Sequence, residues 1–119
     1  MIGDDCTIMH HVTIRGDVAP IRLGHRVNIQ DGCVLHCNRA VMLELEDDVE
    51  VGHRAVIHCQ RIGANSLIGT GAILLDNAVV GRECVVAAGA ILTAGFRVPD
   101  GMVALGAPAR VVRPVEDRD

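Results

Sequence analysis

The sequence predicts an all-β chain wound as a parallel β-helix, and three regularities carry that prediction. Aliphatic residues recur every six positions, running unbroken through Ile62, Ile68, Leu74, Val80, Val86, Leu92 and Val98. Glycine follows several of these rungs directly, at Gly63, Gly69 and Gly81. A small residue stands four positions after most of them, as at Ser66, Ala72, Ala78, Cys84 and Ala90. Strict alternation would give a flat strand and a 3.6-residue period a helix. A six-residue period fits neither; it marks a coil of short strands that turns at each small residue.

The ladder extends back through Leu45, Val51 and Ile57, through Leu23, Ile29 and Leu35, and through Ile2, Ile8 and Ile14. Three such units close a triangular coil, so residues about eighteen apart stack on one face. The predicted stacks are Ile2-Leu23-Leu45-Ile62-Val80-Val98, then Ile8-Ile29-Val51-Ile68-Val86, then Ile14-Leu35-Ile57-Leu74-Leu92. That gives five coils and part of a sixth. The irregular steps from Ile14 to Leu23, Leu35 to Leu45 and Ile57 to Ile62 read as corner adjustments or protruding loops. Residues 1–119 read as one domain, with coils over about 2–106 and a C-terminal tail over 107–119. Each coil buries its apolar face only against its neighbours, so the ends need caps. Phe96 and Met102, large for the small-residue slot, are placed to plug the far end.

Half of the 119 residues are hydrophobic and Phe96 is the single aromatic, which suits a narrow aliphatic core. A net charge of −4 argues against a nucleic-acid partner, which would want a basic stripe. No apolar run is long enough to span a membrane and the N-terminus is not signal-like, so cytoplasmic residence is expected. Cys6, Cys33 and Cys84 occupy the small-residue slot and read as core. Cys37 and Cys59 each follow a histidine and should be neighbours on adjacent coils; with nothing basic poised beside them, they read as unreactive thiols.

The histidines carry the chemical signal. His36 follows Leu35 and His58 follows Ile57, so the two should stand one above the other, about 4.8 Å apart as neighbouring strands are. Both point outward, and two stacked imidazoles can share a metal. His53, two residues after Val51, lies on the preceding face and cannot easily reach that point within its own chain. Three prisms packed around a threefold axis would bring His53 of one chain to His36 and His58 of the next. Three histidines with a coordination position left open is the arrangement of a catalytic zinc site. His10, His11 and His25 read as solvated surface residues.

At this point the chain resembles the gamma-class carbonic anhydrases. The resemblance rests on Thr13-Ile14-Arg15-Gly16-Asp17 through Gly24, on Asn28-Ile29-Gln30-Asp31-Gly32, and on Val34-Leu35-His36. Val51-Gly52-His53, Ile57-His58-Cys59 and the closing Gly106-Ala107-Pro108-Ala109-Arg110 complete it. It implies a left-handed parallel β-helix of hexapeptide repeats and a homotrimer. It also implies a metal, zinc or else iron(II) or cobalt(II), at each subunit interface, held by His36, His58 and a neighbour's His53. Gln30 would hydrogen-bond the hydroxide or bicarbonate, with Asn28 orienting it. Arg15, Asp17 and Asp31 would form an ion-pair network at the trimer interface. The implied activity is reversible hydration of carbon dioxide by a metal-bound hydroxide.

Three departures bear on that reading. The 37–43 loop lacks the acidic proton acceptors of some relatives, leaving Glu44 and Glu46, read as solvated, as the nearest carboxylates. Ala104 stands where many relatives have tyrosine. Relatives also begin about a coil earlier and end in a long C-terminal helix, absent from this short chain. Its absence is expected to expose apolar strand faces and to make trimer packing more important. Two alternatives stay beside the anhydrase. One is a thioester hydrolase using the same metal, favoured by a roomy pocket beside Gln30; the other is a catalytically silent trimeric scaffold.

Overall fold

A computed structural model describes all residues, Met1–Asp119, and contains only short strands and turns. The rungs sit in three stacked sheets. The first face joins, in parallel, Ile21–Leu23, Leu43–Leu45, Arg61–Ile62, Val79–Val80 and Arg97–Val98, with Ile2 bridged to Leu23. The second joins Thr7–Ile8, Asn28–Ile29, Glu50–Val51, Leu67–Ile68, Val85–Val86 and Met102–Gly106. The third joins Thr13–Ile14, Val34–Leu35, Val56–Ile57, Ile73–Leu74 and Ile91–Leu92.

All three predicted stacks are in register. Leu23 lies on Leu45 and Leu45 on Ile62; Ile29 lies on Val51 and Val51 on Ile68; Leu35 lies on Ile57 and Ile57 on Leu74. The second stack gains one further layer, Ala104 on Val86. From Ile29 to Leu92 the rungs are fully buried, whereas Ile2 and Ile8, with no coil beneath them, are open to solvent. Phe96 and Met102 pack partly buried against the core.

The turns explain the residue after each rung and the residue three after it. A Cβ on Gly63 would stand 2.5 Å from the Gly81 carbonyl carbon, and one on Gly69 2.4 Å from the Ala88 nitrogen. The coils approach there too closely for a side chain. Three residues after the rung the backbone turns left-handed, at Asp5, Arg26, Asp48, Asn65, Asn77 and Glu83 among others. Cys33 and Cys84, in the small-residue slot, are buried and donate to the carbonyls of Gly52 and Pro99 at 3.0 Å each.

Residues 107–119 are no simple tail. Ala109–Pro114 forms a strand that pairs antiparallel with Met102–Gly106. It caps the open edge of the last coil, the liability that every unpaired strand carries.

Register also sorts the outward residues by face. The first face presents Arg22, Glu44, Arg61, Val79 and Arg97 in one row. The second presents Thr7, Asn28, Glu50, Leu67 and Val85. The third presents Thr13, Val34, Val56, Ile73 and Ile91, with no charge among them. No helix is long and apolar enough to cross a membrane.

Candidate metal centre

Glycine follows the rung at many turns leaving the first and second faces. At the turn leaving the third face the same position carries Arg15, His36, His58, Leu75 and Thr93. This is therefore the corner where a column of side chains can stand clear of the coil. His36 and His58 are neighbours in it, with ring centroids 5.2 Å apart and planes tilted by 54°.

Each imidazole of the trio has a carboxylate beside one nitrogen. His36 Nε2 lies 3.1 Å from Asp17 Oδ1, and His58 Nδ1 is hydrogen-bonded to Asp76 Oδ1. His53 Nδ1 stands 3.8 Å from Asp31 Oδ1, an electrostatic pairing beyond hydrogen-bond reach. Such partners fix the tautomer and orientation of a metal-binding imidazole and raise its basicity. His36 Nδ1 and His58 Nε2 are the nitrogens left for another bond. Arg15 Nε pairs with Asp17 Oδ2 at 3.3 Å within the same chain. The hydrogen bond from His36, aided by Arg15, holds the Asp17 carboxyl below the usual carboxylate range despite desolvation.

Asn28 and Gln30 come from the second face and its turn, one coil before His53. Gln30 Nε2 donates to Asn28 Oδ1 at 2.6 Å, which fixes the amide and leaves its oxygen free. Thus one corner gathers Gln30, Asp31 and His53, and the next gathers Asp17, His36, His58 and Asp76. The five residue steps from His53 to His58, through the Val56–Ile57 strand, separate them by at most about 16 Å at 3.3 Å per residue. No three metal-ligating side chains of a single chain converge on one point.

The donor types present are ones a divalent metal takes. Two stacked imidazoles at one corner and a third at the opposite corner, each beside a carboxylate, suit zinc or another borderline divalent ion.

Other expectations need adjustment. Glu46 is largely covered rather than solvated: Arg61 and Arg82 pair with it and the Ala64 N–H donates to it at 3.0 Å. Cys37 and Cys59 are both buried, in keeping with the unreactive thiols expected, and burial pushes the Cys59 thiol up to about 12. Ala104 is wholly buried, so this position offers no polar group. The room left by the short loop is a cleft of about 390 Å³ beside Ala40, Met42, Gln60 and Arg61, on the first face and away from Gln30. No sequence motif marks Asp76, whose partner His58 lies a full coil away.

Residues 61–94 match the family model described as bacterial transferase hexapeptide (six repeats). A carbonic anhydrase of Geobacillus kaustophilus is 42% identical over the whole chain, which spans 65% of that protein. The carnitine operon protein CaiE of a Proteus species is 33% identical over the whole chain, which spans 60% of it. Among solved structures, a Bacillus cereus protein named as a candidate acetyltransferase superposes with a TM-score of 0.95 at 41% identity, covering 98% of this chain and 68% of that one. The chain belongs to the hexapeptide-repeat family that includes the gamma-class carbonic anhydrases. Its fold is thus the family's β-helix, and the family spans more than one named activity. The chain covers under two thirds of the length of these two curated relatives.

Proposed function

We propose that this chain assembles as a ring of three and hydrates carbon dioxide reversibly at a metal bound between subunits. The observation that supports this best is the third face. Its outward row is uncharged, and its two edges carry the complementary halves of one site: His53 with Gln30 and Asn28 at one edge, His36 with His58 at the other. A face with different halves at its two edges can set one edge of a chain against the other edge of the next, and such a head-to-tail contact closes into a ring when the rotation allows.

In this reading His36 and His58 of one chain and His53 of the partner subunit hold the ion, zinc by preference. When bound, the metal lowers the pKa of a water ligand toward neutrality and so supplies a nucleophile at pH 7. Asp17 and Asp76 hold the His36 and His58 rings through hydrogen bonds and Asp31 stands beside His53, so each imidazole is aimed by a carboxylate. Gln30, locked by Asn28, is oriented to accept a hydrogen bond from a hydroxyl or to steer a bicarbonate oxygen. Arg15 braces Asp17 and so the corner behind His36.

The test is metal content per chain, with mass in solution, for the parent, His53→Ala and His36→Ala. Each variant alone should lose metal at every site. Mixed trimers should recover about one site in three, since a ring of two chain types has one junction of the right order. Full metal content in His53→Ala, or no recovery in well-mixed trimers, would sink the shared site. A metal-free parent that takes up no zinc would point to a silent scaffold.

A further inference from the structure

Beside His53 lies a cleft of about 680 Å³ lined by His11, Asp31, Gly32, His53, Arg54 and Thr70, with no apolar side chain among them. It is shaped by the column three residues after the second-face rungs: His11, Gly32, Arg54, Gly71 and Gly89. Arg54 is flanked by glycines in this column. A Cβ on Gly71 would meet nothing within 4 Å, and one on Gly32 would touch Arg54 Cγ at 3.2 Å. The Arg54 stem therefore lies over Gly32, and Arg54 lines the cleft together with His11 and Thr70. Arg15, Arg26, Arg61, Arg82, Arg113 and Arg118 each pair with a carboxylate of the chain; Arg54 is not among them.

We infer that this cleft binds a small singly charged oxyanion, of the bicarbonate or carboxylate class, on Arg54. The guanidinium offers the forked donors that match a planar carboxylate-type anion. The Thr70 hydroxyl and the His11 ring supply donors on either side of it. Asp31 is the one carboxylate in the cleft and stands by His53; its charge disfavours a doubly charged anion such as hydrogen phosphate. The anion site stands on these residues alone. Naming bicarbonate as its natural occupant rests on the function proposed above, because the cleft adjoins His53 and would collect product at the metal's edge.

The experiment follows the Thr70 amide signal by NMR while sodium bicarbonate, and separately sodium phosphate, is titrated at constant ionic strength. It compares the parent with Arg54→Gln, Arg54→Asn and His36→Ala. Asparagine occupies the equivalent slot at Asn65 and Asn77, so Arg54→Asn guards against a folding defect. Saturable bicarbonate binding is expected in the parent and in His36→Ala, about tenfold weaker in both Arg54 variants, or about 1.4 kcal/mol. Phosphate should bind more weakly than bicarbonate. Equal affinity in the Arg54 variants, no saturable binding in the parent, or phosphate binding as tightly would each overturn the inference. So would loss of binding in His36→Ala, which would place the anion on the metal. Binding that persists in a parent shown to hold no metal would leave this inference standing while the anhydrase reading falls.

Discussion

Two glycines bordering the His53 corner should fail on substitution for different physical reasons. Gly52 has a backbone conformation open to any residue, yet a methyl there would lie 2.6 Å from the Thr70 nitrogen and 3.0 Å from the Gly69 carbonyl carbon. Ordinary contact needs about 3.5 Å, so the two coils must part by roughly 1 Å. The Gly52 N–H bond to Ile68 O at 2.7 Å and the Gly71 N–H bond to His53 O at 2.9 Å span that gap. Overpacking costs about 1–3 kcal/mol and a weakened ladder bond about 1 more, so Gly52→Ala should lose about 2–4 kcal/mol. Gly71 is the reverse case: nothing stands near its missing side chain, but its φ is +71°. Alanine in the left-handed region costs about 1–2 kcal/mol, and asparagine less.

Urea unfolding followed by far-UV circular dichroism would read the order. Protein concentration must be fixed, because association adds to apparent stability. Gly71→Asn should stay near the parent, Gly71→Ala should fall below it, and Gly52→Ala should fall furthest. Gly52→Ala should also weaken metal uptake by shifting His53, which Gly71→Ala should not. A Gly52→Ala protein within about 0.5 kcal/mol of the parent would refute the close-approach argument. A Gly71→Ala loss that asparagine does not relieve would refute the backbone argument.

Two further outcomes follow from charged contacts. Desolvation pushes the Glu46 carboxyl up, but Arg61, the Ala64 N–H and Arg82 outweigh it and hold it below its ordinary 4.5. A depressed folded pKa gives stability that is present above pH 4.5 and lost as pH falls through the folded value. Glu46→Gln should therefore cost about 1–3 kcal/mol at pH 7, and the gap to the parent should shrink in acid; a gap unchanged down to about pH 3 would contradict this. Asp76→Asn replaces the carboxylate behind His58 with a neutral amide and should weaken zinc affinity about 10–100-fold while leaving the unfolding midpoint near the parent's. Unchanged affinity in a zinc competition titration would show that His58 needs no such support.

The core is legible in the sequence because its period is local. Each rung, each close-approach glycine and each small residue is fixed by its own six-residue unit, so the three stacks follow from counting along the chain. The stacking of His36 on His58 follows from the same count. Asp76 and Glu46 are not legible, because what defines them is a partner a coil or more away: His58 for one, Arg61, Arg82 and the Ala64 amide for the other. In sequence, Asp76 is one turn carboxylate among several, and Glu46 one of five acids between Glu44 and Glu50. The Ala109–Pro114 strand escapes the pattern because it lies beyond the last rung and pairs antiparallel, which the six-residue period does not encode.

The decisive feature for assembly is also one that only register reveals. Thr13, Val34, Val56, Ile73 and Ile91 each stand one residue before a rung, where the first face places Arg22, Glu44, Arg61 and Arg97. Read singly, an aliphatic residue in a short strand says little. Stacked, they form an uncharged row bounded on one edge by His53 and on the other by His36 and His58. The proposed head-to-tail ring would bring the unlike edges together at every junction and would give each metal three imidazoles. If the ring proposed above forms through this face, a chain altered there alone, as by Ile73→Glu, should lose trimer and metal together, and a variant that keeps both would count against that assembly.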